Sequence, residues 1–157
     1  MNEQLISLRE FIPALIYRAT QSSCISPSLL LMLTYLCDWH SCVRYKRKIT
    51  NVVWRVSRRG LSDLGLEDFI RQSNDLFSVD DIKEEIKCSV KPSCNLPEPI
   101  NNVVDKVCEL YQTYKHSGLP TFVFSTYPIL SSTSLILEEV DLLKKAEEYE
   151  LIKQKDS

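Results

Sequence analysis

Cys37, His40 and Cys42 form the tightest group of metal-ligating side chains in the chain, in a C-x-x-H-x-C spacing. A structural zinc site takes four such ligands. On a helix, Cys37 and His40 share a face while Cys42 points away from them. Cys88 and Cys94 are separated by five residues, outside the short knuckle spacing that would complete the set. The group therefore reads as buried thiols beside one histidine. A cysteine nucleophile needs a histidine base close in space, and only His40 and His116 are on offer. His116 lies in a Lys-His-Ser-Gly stretch that suits the C-terminal end of a helix. His40, next to Trp39, reads as a core or rim residue. The chain has no G-x-S-x-G, no H-E-x-x-H and, with three glycines in all, no loop to cradle phosphates. Asp80, Asp81, Glu84 and Glu85 cluster, but as a solvated surface. No catalytic residue, metal ligand or cofactor site is predicted, and the protein is expected not to be an enzyme.

The charges are more informative. Residues 44 to 59 hold seven of the 19 lysines and arginines and none of the 21 acids. The rest of the chain is nine charges negative, although the whole is only −2. A basic segment in an acidic body favours an anionic partner, or self-association of opposite patches. Arg44, Lys46, Arg47, Lys48, Arg58 and Arg59 are the candidate partner-binding residues. Tyr45 and Trp54 are interleaved with them, so stacking on nucleic-acid bases is one reading. The other is that both aromatics face inward, and the alternation of Val53 and Trp54 in a strand favours it.

These residues must be held by a scaffold, and the hydrophobic pattern outlines one. Leu5, Leu8, Ile12, Leu15, Ile16 and Ala19 recur at helical spacing over residues 3 to 19, with Pro13 as a kink or a fresh start. Ser26-Pro27 is a cap followed by a first-turn proline. Residues 28 to 43 then present Leu29, Leu30, Leu33, Leu36 and Trp39 on nearly every side, the mark of a central, buried helix. Residues 49 to 56 read as a strand, 57 to 60 as a turn, and 61 to 69 as a helix weakened by Gly65. Residues 77 to 90 fit a strand pair or a short helix flanked by strand. Three prolines make 92 to 99 a loop. A helix follows over 100 to 114, with Gly118 as its C-terminal cap. The last helix is placed from about Leu137 or Glu138, whose acids suit its positive end.

Length and composition are those of one globular domain: 157 residues, 44% hydrophobic and 25% charged. A chain of this size buries roughly two thirds of its unfolded surface. No apolar run approaches the ~18 residues of a membrane span, and the first residues do not read as a secretory leader. A cytoplasmic protein with free thiols is expected.

Several stretches resemble a known family. Met32-Leu33-Thr34-Tyr35-Leu36-Cys37-Asp38-Trp39 is similar to the K-L-L-Y-L-A-D-W stretch of the Panacea domain, the SocA-like antitoxin domain. Ile49-Thr50, Trp54 and Arg59-Gly60 resemble its following strand and turn, Ser125-Thr126-Tyr127-Pro128 its S-T-Y-P segment, and Asp141-Leu142 with Ala146 and Tyr149 its closing helix. The order agrees from about residue 10 to 150. The family has lysine where this chain has Met32, proline where it has Leu61 and tyrosine where it has Arg59. The resemblance implies one α+β, predominantly helical domain over residues 1–153, with a central buried helix, a small β element packed on one side and a frayed tail over 154–157. It also implies an antitoxin that neutralises a partner toxin by direct protein–protein contact. The alternatives are a phage-encoded or defence-linked inhibitor of another enzyme, or a nucleic-acid-binding regulator using residues 44–59. A homo-oligomer is compatible with each.

Overall fold

The computed structural model describes residues 6–92 and 96–155. In chain order they form α1 (Leu8–Thr20), β1 (Cys24–Ile25), α2 (Pro27–Tyr45), β2 (Val53–Ser57), β3 (Gly60–Leu64), α3 (Leu66–Gln72), β4 (Phe77–Asp80), β5 (Glu85–Cys88), α4 (Glu98–Phe124), α5 (Tyr127–Leu130), β6 (Glu138–Glu139) and α6 (Leu142–Lys155). This is a mostly helical α+β fold.

The long helices start where side chains can satisfy their free amides. Ser7 Oγ accepts from the Arg9 amide at the start of α1, and Ser26 Oγ accepts from the Leu29 amide at the start of α2. Helix α1 is continuous across Pro13, which is buried within it. Helix α2 is the pillar that its all-round apolar pattern predicts. Leu30, Leu33, Tyr35, Leu36 and Cys37 are buried on it, and it packs against α1, α4 and α6. It ends at Lys46, whose left-handed backbone (φ 61°) lets its amide donate to the Cys42 carbonyl.

The β structure is two small antiparallel sheets, ordered β3-β2-β6 and β1-β5-β4. β2 and β3 form a hairpin closed by Ser57 opposite Gly60, with Arg58 and Arg59 as its two-residue tip. Gly60 sits close to its neighbours there: a Cβ would lie 2.8 Å from Ser57 Oγ and 3.2 Å from Leu137, so a larger residue would have to move those side chains. Of the two readings open for residues 77 to 90, the strand pair is the one formed, as β4 and β5.

Several expectations change, among them the strand read from residue 49, which begins at Val53. Residues 61 to 69 are not one helix. Leu61–Leu64 complete β3, Gly65 turns the chain at φ 111°, and α3 begins at Leu66 with Asp63 accepting from the Leu66 and Glu67 amides. Gly118 does not end its helix. The break comes at Lys115 (φ 55°, ψ −170°), and a second arm runs on to Phe124 because Leu119 and Val123 are buried on it. The last helix starts at Leu142, not near 137. Glu138 and Glu139 pair with β2 instead, and Asp141 caps the helix by accepting from the Leu143 and Lys144 amides. α6 also continues past Lys153 to Lys155.

Candidate functional site

The structure separates the Cys37, His40 and Cys42 group. Cys37 and Cys42 are fully buried. Burial pushes both thiols up, Cys42 to about 12, which keeps them protonated and unreactive. His40 is half-buried, and burial, with Arg44 and Lys106 nearby, lowers its pKa. Among the described residues no three His, Cys, Asp or Glu side chains come together as a metal site. Cys94 lies outside the described residues. His116 sits beside the break in α4, where its Nε2 is 2.7 Å from the Tyr111 hydroxyl.

Among the described residues the most heavily hydrogen-bonded side chain is Asp38, buried on α2. Its Oδ1 accepts from the Ile49 and Thr50 amides at 2.8 and 2.9 Å. Its Oδ2 accepts from Thr50 Oγ1 at 2.6 Å and from Trp54 Nε1 at 2.8 Å. Four donors satisfy a carboxylate that is 0% exposed. They also explain why the strand does not begin at Ile49: the Ile49 and Thr50 amides are taken by Asp38, and the Val52 amide donates to Thr50 Oγ1. Burial pushes the Asp38 carboxyl up. Thr50, Trp54 and the charge of Lys48 pull it down by a smaller amount.

The other segments singled out in the sequence join this hub. Tyr35 packs edge-on against Trp54, with ring centroids 5.5 Å apart. Its hydroxyl lies 2.7 Å from Thr126 Oγ1, which donates to the Val123 carbonyl, so Tyr35 is the donor of that pair. Trp39 meets Tyr149 of α6, and Tyr149 meets Tyr127. Contacts between residues as much as 110 positions apart thus tie these segments together. The role of these side chains is to hold α2, β2, α5 and α6 together.

The basic segment divides into two parts, separated by β2, which spans about 13 Å. The first part lies at the end of α2. Arg44 stands over the Tyr45 ring, and Lys46 pairs with Glu150 at 2.5 Å. The Arg47 carbonyl accepts from Ser41 Oγ, and Lys48 Nζ donates to the Val52 carbonyl. Trp54 is 1% exposed, packed edge-on with Tyr35, and closed to nucleic-acid bases. The second part is the β2–β3 tip. There Arg58 and Arg59 are exposed, and their guanidinium groups make no ion pair or hydrogen bond among the described residues.

Beside that tip runs the segment 131–137, which the sequence did not single out. The Arg58 amide donates to the Ser134 carbonyl, and Arg55 donates to the Leu137 carbonyl. These bonds hold Leu135 and Ile136 out in solvent, 84% and 70% exposed. A recess of about 240 Å³ opens between Ser57, Arg58, Arg59 and Leu135. Two unpaired arginines beside two exposed aliphatic side chains can take a carboxylate and an apolar side chain together. A composition scan could have flagged Leu135-Ile136 as an apolar pair in a polar loop, but not its contact with residues 58 and 59. A second, larger recess of about 600 Å³ is lined by Cys24, Glu84, Glu85, Tyr111, Lys115 and His116, with charges of both signs. No helix of the described residues is long and apolar enough to cross a membrane.

No protein-family model, curated protein or solved structure matches the chain.

Proposed function

We propose that this chain is an antitoxin-type binding protein that neutralises a partner toxin by direct contact, as the Panacea-domain resemblance implies. The observation that carries the reading is the surface at the β2–β3 tip. It sets the Arg58 and Arg59 guanidinium groups, unpaired among the described residues, against the exposed Leu135 and Ile136. A side chain that the fold does not use, and that combines charge with apolar area, is suited to work on another molecule. Charge there sets the association rate and its salt dependence more than the final affinity. The residues at the end of α2 contribute field rather than contacts, because most are already engaged.

The test is co-expression with the neighbouring gene. Rescue of growth, together with co-purification of the two products, is the expected result. Absence of both removes the antitoxin reading. The nucleic-acid alternative loses one of its two stacking aromatics with the burial of Trp54; Tyr45 is only partly buried, with Arg44 over its ring. Retention of generic duplex DNA at ~50 mM salt, where phosphate contacts are strongest, would restore it.

A further inference from the structure

The molecule carries a second exposed apolar side chain in a charged setting, and its charge is opposite to that of the tip. The turn between β4 and β5 reads Asp80-Asp81-Ile82-Lys83-Glu84-Glu85, with four acids and one base. Ile82 stands at its apex, 96% exposed, the largest exposure among the buried and exposed apolar side chains described. The turn is set before any partner arrives. Asp80 Oδ1 accepts from the Ile82 and Lys83 amides, and Asp81 is held by Arg71 at 2.7 Å. Glu84 and Glu85 have no ion pair among the described residues.

We propose that the β2–β3 tip of one copy receives the β4–β5 turn of a second copy of this chain. Ile82 fills the recess between Ser57, Arg58, Arg59 and Leu135, whose volume of about 240 Å³ exceeds that of one aliphatic side chain. Glu84 and Glu85 meet Arg58 and Arg59, so each unpaired charge on one patch finds its opposite on the other. The two patches differ, so the contact is heterologous, and a copy with one patch disabled can still offer the other. Few side chains take part. The association is therefore weak, concentration-dependent and sensitive to salt. It rests on the geometry of the two turns and not on the antitoxin reading. A toxin that binds the tip would compete with it.

Sedimentation of the full chain over a range of concentrations tests this. At low salt (~50 mM) the mean mass should rise above 18.2 kDa with concentration, and at ~0.5 M salt it should return to that value. Ile82→Asp and the pair Arg58→Glu, Arg59→Glu lie on exposed turns, and each should weaken association at least ~10-fold. The decisive arm mixes the two variants. One keeps an intact tip and the other an intact turn, so the mixture should form a heterodimer that neither variant forms alone. A constant 18.2 kDa at low salt overturns the proposal, as does unchanged association in either variant or a mixture that stays monomeric. Growth rescue by the wild-type chain is scored separately and does not depend on any of these outcomes.

Discussion

Asp38 and the Arg58-Arg59 tip lie on the two ends of one short stretch of chain, and both concentrate charge. They differ in what surrounds that charge. Asp38 is enclosed and meets four donors supplied by residues 49 to 54. The guanidinium groups of the tip are exposed and meet no acceptor among the described residues. A buried charge must be matched inside the molecule, because leaving it unmatched costs several kcal/mol. An exposed one is matched by water and is free to exchange that water for a partner. The first kind of site therefore reports on architecture and the second on contact with other molecules. Lys48 belongs with the first: it donates to the Val52 carbonyl and its charge acts on Asp38.

The sharpest way to break this contrast is Asp38→Ala. It leaves the Ile49 and Thr50 amides and the Trp54 indole without their acceptor, and should cost about 3–5 kcal/mol in urea unfolding. A loss below ~1 kcal/mol would mean that the hub is not one. Reversal of the tip, Arg58→Glu with Arg59→Glu, should leave unfolding within ~0.5 kcal/mol of wild type. The same variant should slow association with the cognate partner roughly tenfold at low salt, read by stopped flow or surface binding. Lys48→Glu serves as the contrast, since a second carboxylate near Asp38 lowers stability itself. Tyr35→Phe should cost about 1 kcal/mol, because it removes only the donor to Thr126, whose hydroxyl keeps its own bond to Val123.

The smallest effect is in the pH profile. Burial holds the folded-state pKa of Asp38 above its unfolded value. The folded chain therefore keeps this proton to higher pH than the unfolded chain. The resulting stabilisation is complete below ~3.9 and is lost as pH rises through the raised value. Asp38→Asn has no proton to lose, so any advantage of wild type over it should narrow as pH rises from about 4. A gap that widens instead would show that the four donors outweigh burial. The exposed Asp75, which Arg9 holds below the usual carboxylate range, works in the opposite sense. Its contribution is present above the ordinary carboxylate value and is lost as pH falls.

Much of the scaffold was legible in local pattern. The Ser26-Pro27 start, the all-apolar faces of α2 and the turn at 57 to 60 all depend on residues within a few positions of one another. The misreadings also have local causes. Leu61, Leu64, Leu66 and Phe69 fit a helical stripe, yet Ser62 and Asp63 are drawn into pairing with β2, and Gly65 turns the chain before the helix begins. Glu138 and Glu139 looked like the acidic first turn of a helix, and the free edge of β2 took them as a strand. The candidate residues fared unevenly for the same reason. All six basic positions could be found by counting charge, but counting could not say that Lys46 has Glu150 as a neighbour and Lys48 the Val52 carbonyl.

By itself, then, the order of residues determined the buried pillar, its N-terminal cap, the turn at 57 to 60 and the separation of a basic segment from an acidic body. These follow from periodicity, capping and charge, which act along the chain. Only the tertiary structure decided which charges are used internally and which are left for a partner. It brought Glu150 to Lys46 and the segment 131–137 to the hairpin tip across about a hundred and about seventy-five residues of chain respectively. Whether a polar group is satisfied depends on what lies within ~3 Å of it, and that distance is set by packing between elements that are remote in sequence.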